Sequence, residues 1–287
     1  MQRSGLMRTA YPVSYTEFAS WQAHAAMAWL PAQQQRWRKA LERILPRLNE
    51  IGLKLPPDVL LISTDGAESE STPHTRFNAV VLPQHADLGQ FTDSELLAHE
   101  LFHVMTRYSP ELVDRLYALI GFEPINDLQW PVAWQERRVA DQDAPRLNHA
   151  MRVNIHGEPA LVVPVAWVRR TVTHAGQATV ESQTDMGLVE VTPGVGNLPS
   201  SVRAVQGDPV WHAMADVAQY RLKLGGNTDY ILHPEEVMAD NFMFLISRRP
   251  VANTRLLREL ESELRGASAM GHQVHAFTPC GVDRPPR

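Results

Sequence analysis

Cysteine is nearly missing. Cys280 is the single thiol in 287 residues, so neither an internal disulfide nor a multi-cysteine zinc knuckle can form, and any metal has to be held by His and carboxylate. Lysine is scarce too, with Lys39, Lys54 and Lys223 the only three among 27 basic residues. These face 32 acidic residues, giving a net charge of -5. No basic surplus exists to neutralise a phosphate backbone, and nucleic acid is not an expected partner. No stretch of about 18 apolar residues runs without charge, and residues 1–8 are not followed by an apolar segment of secretory length. The expectation is a cytoplasmic protein with no membrane partner, with signal-independent secretion left open. Internal repeats, a dinucleotide or Walker glycine pattern and a G-x-S-x-G elbow are all lacking, and Cys280 has no local signature of a nucleophile.

What is present is ample apolar material, 44% of the chain, enough to bury a large core. Ser14 with Glu17 reads as a capping box opening a helix that carries Phe18, Trp21, Ala25 and Trp29. Pro31 opens a second helix with an apolar stripe through Trp37, Leu41, Ile44, Leu45 and Leu48, closed at Ile51-Gly52. Strands are expected over 58–63 and 76–82, the latter stopped by Pro83. Thr92 with Glu95 fits another capping box, starting a helix that runs from Ser94 to about Tyr108 and stops at Ser109-Pro110. A further helix is expected over 111–120. Between Asn148 and Gly207 the pattern turns β-rich, with 161–168 and 188–192 as its clearest strands. Helical periodicity returns near 210–224, 234–247 and 250–265. The expected class is α+β and mainly helical, divided into an N-terminal helical segment (1–55), a half with a short sheet and the helix starting at Ser94 (56–148), an inserted β-rich subdomain (149–206) and a C-terminal helical half (207–287). The first eleven residues and the tail from Cys280 are expected to be loose.

On the helix that starts at Ser94 stands His99-Glu100-Leu101-Phe102-His103. Residues four apart project from one helical face, so both imidazoles can hold one ion while Glu100 is rotated to the side where a water would sit. With this composition chance supplies roughly 0.03 copies of H-E-x-x-H per chain, so the motif asks for corroboration in the form of a third ligand. The segment Glu236-Val-Met-Ala-Asp240-Asn-Phe242 offers it. Glu236 and Asp240 share a helical face that is otherwise apolar, where two acids are costly to bury unless a metal or hydrogen bonds compensate. One can bind metal while the other accepts the N–H of a ligating histidine. Glu235 is the competing ligand, although its fourth neighbour is Ala239 rather than an acid.

The two segments together resemble the zincin metallopeptidases of the gluzincin type, the group that includes thermolysin and anthrax lethal factor. The resemblance covers about 30 residues in two pieces, plus the strand before the first helix. It implies a zincin-like fold and zinc-dependent hydrolysis of peptide bonds in a peptide or protein substrate. By residue, it implies that His99, His103 and Glu236 bind zinc, that Glu100 is the general base and that Asp240 orients a histidine, His99 in the first instance. A tyrosine shortly before the third ligand assists the tetrahedral intermediate in the lethal-factor-like branch, which puts Tyr230 in that role, with His233 as the alternative. Two departures stand out: His103 and Glu236 are 133 positions apart, which the inserted sheet would explain, and no aminopeptidase-type G-x-M-E-N run precedes the helix.

If zinc is bound, it lowers the pKa of its water toward about 7 and polarises the substrate carbonyl, while Glu100 takes the proton and delivers it to the leaving amine. The strand 76–82 could offer an edge for an extended peptide. The rival is a zincin-like zinc-binding protein that serves interaction or regulation and hydrolyses nothing. His24 reads as packed or solvated, and His272, His275 and Cys280 as part of a solvated tail.

Overall fold

A computed structural model describes residues 13–86, 88–135, 137–170 and 182–268; the expectations for 1–11, for His272 and His275 and for the tail from Cys280 lie outside them. The chain is α+β. Helix α1 (Tyr15–His24) is capped by Ser14, whose side chain accepts from the Glu17 N–H while Glu17 reaches back to the Ser14 N–H. Helix α2 (Pro31–Ile51) buries Trp37, Ala40, Ile44, Leu48 and Ile51 and ends on Gly52, whose φ of 74° is the left-handed conformation glycine adopts without penalty.

A small sheet follows, formed by β1 (Leu60–Thr64), β2 (His74–Arg76) and β3 (Ala79–Pro83) in the order β1-β3-β2. Strands β1 and β3 are parallel, while β2 runs antiparallel to β3 with His74 opposite Val81. The single strand expected over 76–82 is therefore two. Phe77, at φ 52°, turns the chain back on itself, a conformation that costs a bulky residue and that no propensity rule would give to Phe. The strand that reaches Pro83 is the centre of this sheet, and β2 is an edge strand.

Helix α3 (Asp93–Tyr108) starts where its capping box places it, with the Thr92 Oγ1 accepting from the Glu95 N–H at 3.2 Å. The segment expected as one helix over 111–120 opens with a 3-10 turn at Pro110–Leu112 before α4 (Val113–Ala118). An eight-stranded, mostly antiparallel sheet is built around β7 (His149–Ile155), β8 (Glu158–Arg170) and β9 (Ser182–Thr192). It also draws in β4 (Phe122–Pro124), β5 (Leu128–Gln129), β6 (Arg138–Val139), β10 (Ser200–Val202) and the pair Trp211–His212, reaching beyond 149–206 at both ends. Its two faces are buried differently. Met151, Val153, Val162 and Leu188 join the core made by the helices, while Val163, Val165, Trp167 and Val189 close a smaller core with Trp130 and Trp134.

Capture by this sheet also explains why the helix expected near 210–224 is short. Val210 exchanges backbone bonds with Arg203 and Glu190, so only a 3-10 turn at Met214–Asp216 and α6 (Ala218–Lys223) remain, α5 being the single turn Val132–Gln135. Helix α7 (Pro234–Ser247) starts where Pro234 predicts and is buried on every side from Pro234 to Ile246, with Glu235, Glu236, Asp240 and Asn241 among its buried residues. Helix α8 (Thr254–Ser268) is the last element among the described residues. Among the described residues no helix is long and apolar enough to cross a membrane. Helices α2, α3 and α7 pack together in the main core, and the α3–α7 contact sets the site.

Candidate metal centre

Both imidazoles of the H-E-x-x-H segment leave α3 toward α7, where three acids of the first two turns meet them. His99 Nε2 lies 3.0 Å from Glu236 Oε2, and His103 Nε2 lies 3.4 Å from Glu236 Oε1. One carboxylate thus faces the same nitrogen of both rings. The outer nitrogens are also met: His99 Nδ1 is 3.0 Å from Asp240 Oδ1, and His103 Nδ1 is 2.9 Å from Glu235 Oε1. Asp240 is steadied by the Thr228 hydroxyl. Glu235 accepts from the Thr106 hydroxyl at 2.5 Å and from the Tyr117 hydroxyl.

The sequence leaves Glu235 and Glu236 as competitors for one position; in the fold they face different atoms. Adjacent residues on a helix are rotated by about 100°, so Glu236 reaches the inner nitrogens while Glu235 reaches the far side of His103. Each histidine then has its own carboxylate on the nitrogen away from Glu236, the arrangement by which outer partners fix the tautomer of a metal-binding imidazole. Helix geometry assists: Glu235 and Glu236 sit in the first turn of α7, where the positive end of the helix favours carboxylates.

The donor set fits a metal ion. One ligand atom from each of His99, His103 and Glu236 lies within 4.8 Å of the others. His103 Nε2 and Glu236 Oε1 are buried and face each other at 3.4 Å with no other hydrogen-bond partner, a long contact that a cation between them would improve. Tetrahedral zinc with bonds of about 2.1 Å holds its donors about 3.4 Å apart, the spacing found for those two atoms. Burial disfavours a charged His99, but hydrogen bonds to Asp240 and Glu236 outweigh it and raise its pKa to about 10. Burial likewise acts to raise Glu236, and the charge of His103 and the hydrogen bonds from both rings hold it well below the usual carboxylate range. Without a metal, protons on the imidazoles satisfy the acids.

That exchange has a measurable consequence. The raised His99 contributes stability that is full below pH 6.5 and lost as pH climbs through about 10, and the depressed Glu236 contributes stability present above about pH 4.5 and lost as pH falls further. Metal-free protein will therefore lose on the order of a few kcal/mol between pH 6.5 and 10, read as a falling urea midpoint. Zinc-loaded protein, whose imidazoles need no proton, will hold its midpoint across that window. Equal pH dependence in the two forms would contradict the assignment.

Glu100 is buried beside the pair. The Thr75 hydroxyl on β2 donates to Glu100 Oε2 at 2.6 Å, and burial together with the nearby Asp143 carboxylate pushes Glu100 above its ordinary value. A cleft of about 490 Å³ opens here, lined among others by His99, Glu100, Glu236, Tyr230, Asp141 and Asp143. Tyr230 lies in it, donating to Asp141 Oδ2 at 2.6 Å. His233 is occupied elsewhere: its Nδ1 accepts from the Glu235 N–H at 3.0 Å, capping α7, and its Nε2 is 3.1 Å from the Arg146 carbonyl. Of the two alternatives, only Tyr230 is among the cleft residues.

Sequence reasoning did not find Thr75, Thr106, Tyr117, Thr228, Asp141 or Asp143. None has a periodic or motif signal, and all arrive by tertiary contact. Three other histidines are engaged elsewhere: His24 Nδ1 lies 2.6 Å from the Ser20 carbonyl, His149 Nε2 lies 2.8 Å from Asp114, and His212 Nε2 lies 2.8 Å from Glu190. Comparison with protein-family models, with curated proteins and with solved structures finds no match to this chain.

Proposed function

We propose that this chain is a zinc-dependent peptidase of the gluzincin type with a zincin-like arrangement of its metal helix. The observation that carries the reading is the Glu236 carboxylate facing the inner nitrogens of both His99 and His103, with Asp240 and Glu235 on the outer ones. His99, His103 and Glu236 would hold the zinc. Bound there, zinc would supply Lewis acidity toward a substrate carbonyl and lower the pKa of a water toward about 7.

The rest falls to the chain itself. Glu100, its carboxylate held by the Thr75 hydroxyl, takes a proton from the attacking water and returns it to the leaving amine; its elevated pKa suits a group that must do both near neutrality. Strand β2 is an edge strand that follows Thr72 and Pro73 of the cleft wall, and an extended peptide joining it would take the Thr75 N–H from Asp143 Oδ1, which now accepts it at 2.6 Å. Tyr230, a hydroxyl donor in the cleft, can turn from Asp141 to the oxygen that gains charge in the transition state.

Incubating zinc-loaded protein with a broad peptide library and sequencing the new amino termini tests the reading. Cleavage that is zinc-dependent and absent from a Glu100→Gln control is expected; no cleavage by a chain that binds zinc would favour the second reading, a zinc-binding protein without hydrolytic activity. That reading draws on the carboxylates of Asp141 and Asp143 that share the cleft.

A further inference from the structure

Residues 225–230, between α6 and α7, form neither helix nor strand, yet they are pinned at several points. Asn227 Oδ1 accepts the Asn253 N–H at 2.7 Å, and Asn227 Nδ2 donates to the Asn253 carbonyl at 3.0 Å and to Asn241 Oδ1 at 2.9 Å. Asn241 is fully buried on α7 and donates in turn to the Val237 carbonyl, while Asn253 Oδ1 accepts the Leu256 N–H in the first turn of α8. Asn227 thereby ties the segment to the start of α8 and to α7. The approach is close because Gly225 lacks a side chain: a Cβ there, at φ 86°, would stand 2.9 Å from Leu256 and 3.0 Å from the Asn253 amide.

Thr228 comes next. Its hydroxyl donates to Asp240 Oδ2, whose other oxygen faces His99 Nδ1, and accepts the Tyr230 N–H at 3.1 Å. A hydroxyl donates once and can accept twice, so this one oxygen serves the metal side and the cleft side together. Just beyond Tyr230, the Ile231 carbonyl accepts from the buried Tyr220 hydroxyl at 2.6 Å. The main chain on either side of Tyr230 is therefore held, and the swing of the ring remains. The Tyr230 hydroxyl, now on Asp141, reaches another oxygen in the cleft by that swing, from an origin that Thr228 sets.

Resting on the zinc reading above, we infer that Thr228 is a positioning residue that couples the metal shell to Tyr230, with Asn227 as its anchor. Through Asp240 it fixes the His99 ring, as outer partners of a metal-binding imidazole do. Through the Tyr230 N–H it fixes the point from which the phenol approaches an oxygen on the metal. A change at Thr228 thus reaches both, although its hydroxyl is bonded to no metal donor.

The test uses full-length protein loaded with cobalt in place of zinc, and acetohydroxamate as a probe that sets an oxyanion on the metal. Thr228→Val keeps the size of the side chain and removes both bonds. It is expected to bind cobalt about tenfold more weakly in chelator competition, with a changed visible cobalt spectrum, and to bind acetohydroxamate about tenfold more weakly because Tyr230 is misplaced. Thr228→Ser is expected to restore all three readouts, whereas a role in methyl packing would be met by valine and not by serine. In a Tyr230→Phe background, Thr228→Val is expected to lose most of its cost in acetohydroxamate binding, since the hydroxyl it positions is gone. Asn227→Ala leaves the Thr228 hydroxyl in place but frees its anchor; it is expected to move the same readouts by a smaller factor, and it keeps the test open if the valine variant does not fold. Parent-like cobalt affinity and spectrum in the folded variants, or costs at Thr228 and Tyr230 that simply add, would overturn the coupling. A parent chain that takes up no cobalt would overturn the zinc reading itself, and one that shows the coupling yet cleaves no peptide would overturn only the peptidase reading.

Discussion

Replacing Glu100 by glutamine will leave zinc bound and slow peptide hydrolysis by about 10²- to 10⁴-fold, the range associated with a positioned acid or base. Glutamine keeps the size of the side chain and can still accept from the Thr75 hydroxyl, which now donates at 2.6 Å, so the fold and the metal donors are undisturbed. What is lost is the ability to take and return a proton. The buried amide also removes a carboxyl that burial and the nearby Asp143 carboxylate push above its ordinary value, and the variant is expected to be at least as stable as the parent. Loss of zinc together with activity would mean that Glu100 belongs to the metal shell. Unchanged turnover would show that the proton goes elsewhere.

The second large effect is expected at Glu236. Its carboxylate is the one group that faces both imidazoles, so Glu236→Ala will lower zinc affinity by more than the roughly 10- to 100-fold that loss of an outer partner costs. Glu235→Gln is the matched control. Glu235 touches His103 through the nitrogen away from Glu236 and also receives the Thr106 and Tyr117 hydroxyls, and its loss should stay within that 10- to 100-fold range. Competition against a chelator of known affinity separates the two. The reverse order, with Glu235→Gln the more damaging, would mean that the ligand and the orienting residue have been exchanged.

How much of this site could be seen in the sequence follows from how local each part is. The four-residue spacings His99 to His103 and Glu236 to Asp240 are properties of one helix each, and Thr92 and Pro234 mark where those helices begin. These were legible because a helix turns on itself every 3.6 residues whatever surrounds it. The pairing of Asp240 with His99, implied by the family resemblance, is found at 3.0 Å. A preference for Glu236 over Glu235 was legible in the acid at Asp240, but the contact of Glu235 with His103 Nδ1 was not, since it depends on the rotation of α7 against α3. Thr75 and Asp143 were invisible for a related reason: one sits on a three-residue strand created by the turn at Phe77, the other in a stretch with no repeating pattern. The same limit affected Trp211 and His212, which the β9 edge takes up in place of a helix.

The zinc content and X-ray absorption spectrum of the purified, zinc-loaded chain bear most directly on whether α3 and α7 build a metal centre. One ion per chain, with two imidazole nitrogens at about 2.0–2.1 Å and oxygen donors completing the shell, is the expected result, with the imidazole signature lost when His99 and His103 are both replaced by alanine. A chain that retains no zinc, or one whose zinc is unaffected by that double replacement, would contradict it.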